Sequence, residues 1–275
     1  MRTLFAGLFA IAALFGFSAE AAAQAQTSYY VAPAAATPAG NDSNACTSAA
    51  PCLTLQHTCS VIDTLPFGVY SLYVADGTYT STGSGNVVCG LNYNHAVTIT
   101  GDVTNPNFVV LQLVGNDTGI DVQDHAIVGI NGVYITSSGA NSNGIVSRQY
   151  TITDYNNVWF GQLSVDVFAT EASKINCLST VIISNMGFHA IAFGQSQILL
   201  NCPMRIAAGV AFSYFVDVAQ ESFIDASSLS ATNYSTGGAP SVSGQKWVNS
   251  HSEIDGSTNL PGTGNTNAGH YEVNN

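Results

Sequence analysis

The stretches KINCLSTVIIS (174–184) and LLNCPMRIA (199–207) share one short pattern, Asn-Cys followed by an apolar run. Their asparagines, Asn176 and Asn201, lie 25 residues apart. Comparing the rest of the chain with these stretches reveals a repeat with a period of about 24 residues. Each copy has two or three short apolar runs separated by turn residues, and none sustains a helical period. The copies begin at Gly119, Gly144, Ser164, His189 and Phe212.

This repeat predicts an all-β parallel solenoid in which each copy forms one coil. A leucine-rich repeat has a similar period, but its fixed leucine spacing is absent. One isoleucine per copy anchors the alignment, with spacings of 25, 23, 23 and 26 residues. Stacked coils would place these side chains above one another, about 4.8 Å apart. The aligned isoleucines are Ile127, Ile152, Ile175, Ile198 and Ile224.

An asparagine recurs at one predicted corner of four successive coils. Asparagine tolerates the left-handed backbone of a sharp corner, and its amide group both donates and accepts hydrogen bonds. Stacked copies could therefore bond to one another and satisfy buried polar groups. The simple preference of asparagine for turns is the alternative. The predicted asparagine ladder consists of Asn131, Asn156, Asn176 and Asn201.

The chain divides into four predicted segments. Residues 1–25 have one early basic residue, an apolar run and a small-residue end, which is typical of a secretory signal peptide; a retained N-terminal anchor is the alternative. Residues 26–70 form an N-terminal cap with a short amphipathic helix within 53–65. Residues 71–231 form the β-helix, and residues 232–275 an irregular tail rich in Gly, Ser and Asn. We expect a secreted, periplasmic or extracellular protein whose mature chain has no membrane span.

Charge excludes several classes of partner. Only 8% of residues are charged and the formal net charge is −12, while 46% are hydrophobic, so the chain is expected to fold. After residue 25, its basic side chains are Arg148, Lys174, Arg205 and Lys246. Binding to phosphates requires clustered basic residues, so nucleic acid and anionic lipid are poor partners. An anionic polysaccharide is a poor substrate because the net charge repels it.

The corner motif and the N-terminal segment together carry a family resemblance. The segment YYVAP…GNDSNACTSAAPCLTLQHTCSVID…LYVADGTYT, followed by coils with an Asn-bearing corner, resembles the pectin lyase-like superfamily, especially exported bacterial or phage-tailspike-like members. The likeness covers residues 28–230. It implies a single right-handed parallel β-helix. It does not imply one activity, because the superfamily includes lyases, hydrolases, epimerases, tailspikes, adhesins and inactive relatives.

Six cysteines in an exported chain indicate disulfides. Cys46–Cys52 would close a short loop of the cap, and Cys59–Cys89 would tie the capping helix to the first coil. Two interpretations stay open for Cys177 and Cys202, which are expected one coil apart: reduced thiols in the core, or a bond. The cysteine spacings do not match a zinc site, and neither a metal nor a cofactor is expected.

One polar corner is the candidate catalytic edge. The corners VQDHA, SRQYT, ATEAS, FGQSQ and AQESF align before the anchoring isoleucines. Asp124 and Glu171 could act as an acid/base pair, since glycosidases need two carboxylates about 5 to 9.5 Å apart. Arg148 is predicted to lie beside Glu171 and bind substrate, with Gln123 and Gln195 also binding. The alternative is a solvated corner with a weak surface ion pair. The hydrolases of the superfamily use Asp-Asp and Asn-x-Asp pairs, which the coils lack.

Two aromatic residues form a second candidate site. Tyr134 and Trp159 are equivalent in successive coils, and strand alternation points both outward. Exposed aromatic rings suit a sugar face or another subunit; a covering loop is the alternative. The preferred hypothesis is a non-catalytic protein that binds a polysaccharide or cell-surface glycan, or that attaches to a surface. The alternatives are a polysaccharide hydrolase or lyase, and a subunit of a trimeric tailspike-like homo-oligomer.

Overall fold

A computed structural model shows the parallel β-solenoid that the repeat predicts. It describes residues 27–81, 86–92, 95–139, 141–184, 187–208, 210–238, 243–248, 252–255, 260–261, 263–264 and 271–273. The helix α1 spans Leu55–Asp63, and a 3-10 turn spans Pro106–Phe108. The strands are β1 (Thr27–Val31), β2 (Val69–Val74), β3 (Gly77–Thr80), β4 (Val87–Leu91), β5 (Ala96–Thr100), β6 (Val109–Leu113), β7 (Thr118–Val122), β8 (Ile127–Asn131), β9 (Tyr134–Ser137), β10 (Asn143–Ser147), β11 (Ile152–Asn156), β12 (Trp159–Phe160), β13 (Val165–Ala169), β14 (Lys174–Cys177), β15 (Val181–Ile183), β16 (Phe188–Ala192), β17 (Gln197–Leu199), β18 (Pro203–Ile206), β19 (Ala211–Val218), β20 (Phe223–Asp225), β21 (Ser230–Asn233), β22 (Ser243–Val248), β23 (Glu253–Asp255), β24 (Thr263–Gly264) and β25 (Tyr271–Val273).

The strands stack into three parallel sheets, one along each side of the solenoid. Sheet A contains β1, β2, β5, β8, β11, β14, β17, β20, β23 and β25. Sheet B contains β3, β6, β9, β12, β15, β18 and β21, and sheet C contains β4, β7, β10, β13, β16, β19, β22 and β24. From β2 to β22 each coil contributes one strand to each sheet in turn. The repeat in the sequence is therefore one complete coil.

The isoleucine alignment slips by one residue between two coils. Ile127 pairs with Ile152, but Ile152 pairs with Lys174, whereas Ile175 pairs with Thr153. Ile127 and Ile152 are 49% and 39% exposed, while Ile175 is fully buried. A shift of one residue moves a side chain to the other face of a strand. The predicted column is therefore wrong at this step, and the inward-facing column consists of Val128, Thr153, Ile175, Ile198 and Ile224.

The predicted four-residue asparagine ladder is wrong, because its last two members occupy other positions in their coils. Asn131 and Asn156 do occupy equivalent positions in β8 and β11. Asn176 instead pairs with Asp154, and its Nδ2 donates to Asp154 Oδ1 at 2.6 Å. Asn201 lies beyond the end of β17, and its Nδ2 donates to Asp225 Oδ2 at 2.8 Å. The spacing of 20 residues between Asn156 and Asn176 reflects this change of position.

A ladder of hydroxyl groups lines the opposite end of the sheet A strands. The residue just before the strand is serine or threonine in five successive coils, and each of these residues is at most 2% exposed. Backbone N–H groups donate along the column: Ser173 to Ser196 Oγ at 3.2 Å, and Ser196 to Ser222 Oγ at 3.1 Å. These bonds satisfy polar groups that would otherwise be buried without partners. The column consists of Thr151, Ser173, Ser196, Ser222 and Ser252.

The N-terminal cap forms around the predicted helix. Thr54 caps α1, because its hydroxyl accepts a hydrogen bond from His57 N–H at 3.2 Å. Asp42 orients this end of the helix by accepting hydrogen bonds from the N–H groups of Leu53 and Thr54 at 2.8 and 2.9 Å. The helix buries Leu55, Thr58, Cys59 and Ile62. The cap thus covers the first coil with an apolar helix face, as solenoid ends require.

All six cysteines form disulfides. Cys46–Cys52 and Cys59–Cys89 are bonded as predicted. Cys177 and Cys202 are also bonded, which resolves the open alternative in favour of a bond between adjacent coils. His57 lies close to Cys46 and Cys52, but sulfurs in a disulfide are not available as thiolate ligands for a metal ion. Three disulfides fit a protein of an oxidising, extracellular environment.

The solenoid extends past the expected boundary at residue 231. β22 pairs with β19, β23 with β20, and β25 with β23, all in parallel register. The parts of the expected tail that the structure describes thus add further strands to sheets A and C. The expected signal peptide, residues 1–25, lies outside the described residues. Within the part of the chain that is described, no helix is long and apolar enough to cross a membrane.

Candidate functional site

The predicted catalytic edge is a column of tight turns between sheets C and A. Each turn consists of two residues with positive φ, between 50° and 67°. The backbone N–H of the second residue donates to the first residue of the turn above, for example from His125 to Gln149 O at 3.1 Å. This geometry brings Asp124, Glu171 and Gln195 to one corner, as predicted. The turns are Asp124–His125, Gln149–Tyr150, Glu171–Ala172, Gly194–Gln195 and Gln220–Glu221.

Arg148 makes an ion pair with a partner that the sequence did not suggest. Its Nε and Nη2 each lie 3.1 Å from an Asp121 carboxylate oxygen. Gln123 Nε2 donates to the same carboxylate at 2.6 Å. Burial raises the pKa of Asp121, although Arg148 and Gln123 oppose that rise. Arg148 and Gln123 therefore hold a buried carboxylate, and only the guanidinium N–H groups that do not contact Asp121 would be left to bind a substrate.

The predicted contact between Arg148 and Glu171 is wrong. Ser147 pairs with Ala169, so the next residue, Arg148, lies beside Thr170, and Glu171 lies beside Gln149. Glu171 is exposed at the apex of its turn. Asp124 occupies the same turn position two coils away. The error has the same origin as the shifted isoleucine column, because both rest on the alignment of Ile152 with Ile175.

This geometry weakens the acid/base hypothesis. Asp124 and Glu171 are separated by two coil steps, about 9 to 10 Å of backbone spacing, with Gln149 between them. That separation is at the upper limit for an inverting glycosidase. The expected basic partner is already paired with Asp121. The corner therefore offers two solvated carboxylates without the arginine that the mechanism would use.

The aromatic pair on sheet B is built as the alternation predicts. Tyr134 and Trp159 are directly paired between β9 and β12. Both side chains are half-buried, and their ring centroids lie 6.2 Å apart with an angle of 72° between the ring planes. This edge-to-face arrangement is one that aromatic pairs favour. The residues that flank them in the strands, Ile135 and Phe160, are fully buried.

A third ring completes a pocket at this place. Tyr234, which follows β21, lies edge-to-face with Trp159 at 6.1 Å. Arg205 lies 4.8 Å above the Tyr234 ring, and its Nη2 donates to Tyr234 O at 2.9 Å. The pocket has a volume of about 200 Å³. It is lined by Tyr134, Trp159, Phe160, Ile182, Ser184, Ala207 and Tyr234.

Sequence reasoning missed Tyr234 and Arg205 at this site. Arg205 occupies the column position of Tyr134 and Trp159, two coils beyond Trp159. Extending the alignment of Tyr134 and Trp159 by two coils would have found Arg205. The change of residue type along the column, from aromatic to basic, concealed it. Tyr234 lies outside a strand, and the turn after β21 brings it back over Trp159. No strand periodicity indicates such a placement.

Two further cavities adjoin the cap. One, of about 270 Å³, is lined by residues that include Leu53, Gln56 and Tyr79. The other, also about 270 Å³, lies beside Tyr30 and Tyr73, whose rings stack at 5.1 Å. The cap loop forms much of this second cavity. The linings of both cavities contain fewer aromatic side chains than the lining of the sheet B pocket.

Asp217 on sheet C gives a prediction about pH. Burial raises its pKa to about 6, and its register neighbour in the coil below is Ile191. A raised pKa means that the folded state holds the proton more tightly, so stability is expected to fall as pH rises from about 4 to about 6. Asp217→Asn should remove this loss and raise stability at pH 7 by about 1 kcal/mol, after allowance for partial exposure. Urea unfolding of the wild-type and Asp217→Asn proteins at pH 4.5 and pH 7 measures this gain in stability. An equal gain at the two pH values would contradict the prediction.

Comparison with known proteins places the chain near a small number of solved structures. No family model matches it, and no curated protein matches it. A pectin methylesterase from Aspergillus niger, in penultimately deglycosylated form, aligns over 82% of this chain and 88% of its own, with 15% identity and a TM-score of 0.39. The deglycosylated form of that enzyme aligns over 83% and 88%, with 14% identity and a TM-score of 0.39. A likeness of this size says nothing about the activity of this chain.

Proposed function

We propose that the protein is an exported, non-catalytic carbohydrate-binding β-helix whose glycan site is the aromatic pocket on sheet B. The observation that carries the proposal is the arrangement of Tyr134, Trp159 and Tyr234 as three rings around one pocket. Aromatic side chains with a polar tip suit ligands that have both apolar faces and hydroxyl groups. The pyranose ring of a sugar is such a ligand.

The size of the pocket favours a single sugar residue. Its volume of about 200 Å³ is below the range of about 300 to 1,000 Å³ typical of sites for drug-sized ligands. The floor includes Ile182 and Ala207, which offer apolar contacts. The lining also includes Tyr134 and Ser184, whose hydroxyl oxygens can accept hydrogen bonds from a sugar, although the Ser184 hydroxyl itself donates to Phe160 O at 3.1 Å. The pocket would thus hold one residue of a longer glycan whose remaining residues lie on the surface.

Charge favours a neutral glycan. The formal net charge of the chain is −12, which repels a polyanion over a long range. The guanidinium at this pocket, that of Arg205, already stacks on the Tyr234 ring and donates to its backbone oxygen. Its main contribution is to hold Tyr234 in place against Trp159. The three disulfides support export, because such bonds persist in oxidising compartments.

The geometry at the turn column supports the non-catalytic part of the proposal. A glycosidase needs a proton donor and a second carboxylate with defined roles around the scissile bond. Asp124 and Glu171 lie two coils apart, and the carboxylate paired with Arg148 belongs to Asp121. We therefore expect no release of new reducing ends from polysaccharides. Such release by the wild-type protein, lost in Glu171→Gln, would contradict this part of the proposal.

Trp159→Ala tests the pocket. We expect it to weaken binding of a neutral oligosaccharide at least about tenfold, equal to about 1.4 kcal/mol, because a central aromatic residue commonly contributes more than that. A glycan array identifies the ligand, and titration calorimetry measures its affinity. Phe67→Ala is the matched control, since Phe67 is an aromatic residue of the cap that is 66% exposed.

The oligomeric state separates glycan binding from subunit contact. If the pocket binds sugar, Trp159→Ala loses affinity and keeps the size of the wild-type protein in gel filtration. If the pocket is instead an interface between copies, Trp159→Ala dissociates a larger assembly. An unchanged affinity for every glycan that the wild-type protein binds would exclude the pocket as the sugar site.

A further inference from the structure

The turn column between sheets C and A carries a second feature that the proposed pocket does not use. The second residue of each turn has a φ between 59° and 67°, a left-handed conformation that is costly for residues with a side chain. In two adjacent coils this residue has a ring, and in the next it has only a methyl group. In chain order the column consists of His125, Tyr150, Ala172, Gln195 and Glu221.

The register places these five residues directly above one another. Ser147 pairs with Ala169 before the turn, and Ile152 pairs with Lys174 after it, so both flanks have the same offset and Tyr150 aligns with Ala172. In the next coil, Ala169 pairs with Ala192 and Lys174 with Gln197, so Ala172 aligns with Gln195. The alignment therefore contains no insertion within these turns.

The ring stack stops at Tyr150. The His125 and Tyr150 rings are nearly parallel, with centroids 5.5 Å apart and an angle of 15° between the planes. The next position in the column is Ala172, whose methyl group cannot cover a phenol ring. Tyr150 is accordingly 66% exposed. One face of the ring lies against His125, and the other faces the space above Ala172.

A polar side chain bounds this space on its far side. Gln195 is exposed, and its Nε2 donates to Glu221 Oε2 at 3.1 Å, which fixes the amide group toward the following coil. Tyr150 and Gln195 are two coil steps apart, or about 9 to 10 Å. One ring placed midway would lie about 5 Å from each, close to the observed spacing of the His125 and Tyr150 rings. The space between Tyr150 and Gln195 is thus about the thickness of one ring.

The surroundings of this gap combine apolar and polar groups. Ile152, at the start of β11, is 39% exposed beside Tyr150. Glu171 is exposed at the apex of the turn that contains Ala172, and Lys174 follows it at the start of β14. An apolar ring face, a small floor and hydrogen-bonding groups at the edges match a pyranose, which has apolar C–H faces and hydroxyl groups around its rim.

The presence of a tyrosine at a left-handed position is a separate observation. A tyrosine with φ of 63° is unusual, because bulky residues rarely adopt positive φ. The other turns of the column have the same positive φ, so this conformation belongs to the turn and does not by itself mark a site. A turn alone does not require a ring at this position, since Ala172 and Gln195 make the same turn.

We propose that the gap above Ala172, between Tyr150 and Gln195, binds one pyranose ring of a neutral glycan as an inserted member of the column. The C–H face of the sugar stacks on the free face of Tyr150. Its hydroxyls donate to the Glu171 carboxylate and to the Gln195 amide oxygen. This inference rests on the proposed function in that both sites take carbohydrate, but it concerns a different corner of the coil and other residues.

The experiment fills the gap with a side chain. Ala172→Tyr extends the stack of His125 and Tyr150 by a third ring, and the neighbouring coil already accommodates tyrosine at the same left-handed position. Tyr150→Ala removes the stacking face instead. Tyr73→Ala is the matched control, because Tyr73 is a 40% exposed tyrosine that stacks on Tyr30 and lies outside the turn column. Each variant is made in the full chain and in the Trp159→Ala background, and thermal unfolding checks its fold.

The probes are neutral hexasaccharides of glucose, mannose and galactose, titrated by calorimetry. We expect Ala172→Tyr and Tyr150→Ala to weaken binding at least about tenfold in the Trp159→Ala background, and Tyr73→Ala to leave it unchanged. If both variants bind as tightly as their parent while Trp159→Ala alone weakens binding, the gap is not a site and the pocket stands. If Ala172→Tyr and Tyr150→Ala weaken binding and Trp159→Ala does not, the gap is the sugar site and the pocket is not. A wild-type chain that binds none of the probes overturns both proposals.

Discussion

Asp166→Ala is expected to lower the free energy of unfolding by about 2 to 3 kcal/mol, because it leaves a buried imidazole without the carboxylate that is its hydrogen-bond partner. Asp166 Oδ2 lies 2.9 Å from His189 Nδ1, and both side chains are fully buried. The imidazole lies between aromatic rings, with Phe215 stacked at 5.1 Å and Phe160 at 6.2 Å. Without the carboxylate, His189 keeps its polar nitrogens in an apolar core. Urea unfolding at pH 7, followed by tryptophan fluorescence, measures the loss.

A double-mutant cycle identifies the pair as the cause. His189→Phe replaces the imidazole by a ring that suits Phe215, so Asp166→Ala should cost less in that background than in the wild type. Asp166→Asn keeps an oxygen that accepts from His189, and should lose less than Asp166→Ala. Equal costs of Asp166→Ala in both backgrounds would show that the imidazole contributes nothing to the effect.

The same buried region contains a third polar group. The Tyr155 hydroxyl has no hydrogen-bond partner among the residues that the structure describes, and burial together with the Asp166 charge raises its pKa. Asp166, Val167 and His189 are all fully buried, although Asp166 and Val167 are consecutive. Strand alternation allows only one of two neighbours to point inward. The sequence pattern therefore could not place Asp166 in the core.

The fold was predictable because each coil buries equivalent residues. The repeat of short apolar runs follows from stacking, which requires similar inward side chains at each level. The two disulfides of the cap were predictable because Cys59 precedes the first coil and Cys89 lies within it. The same argument brought Cys177 and Cys202 one coil apart, but could not decide whether their sulfurs bond.

The candidate sites were less predictable because the coils differ in length. Successive turns are offset by 25, 22, 23 and 26 residues, as the pairs Ile127–Ile152, Ile152–Lys174, Lys174–Gln197 and Gln197–Phe223 show. An alignment based on residue type was in error by one residue at Ile175. That single step placed Glu171 beside Arg148. It also hid the alignment of Ala172 with Tyr150.

Removing the Cys59–Cys89 disulfide is the second change with a large expected effect. The bond closes a loop with a sequence separation of 30 residues. Constraint of the unfolded chain by a loop of this length is worth about 3 to 4 kcal/mol. The double replacement Cys59→Ala/Cys89→Ala should lower the free energy of unfolding by about that amount. Urea unfolding without reductant measures it, since the two remaining disulfides stay intact.

The Cys46–Cys52 bond supplies the matched comparison. It spans a separation of only 6 residues, so Cys46→Ala/Cys52→Ala should cost about 2 kcal/mol. The Cys59–Cys89 bond also holds α1 against β4, and both of its cysteines are fully buried. Since a solenoid end without its cap exposes apolar side chains and unpaired strand edges, loss of this bond should promote association of the native protein as well. A cost for Cys46→Ala/Cys52→Ala as large as that for Cys59→Ala/Cys89→Ala would show that loop length does not govern the stability of the cap.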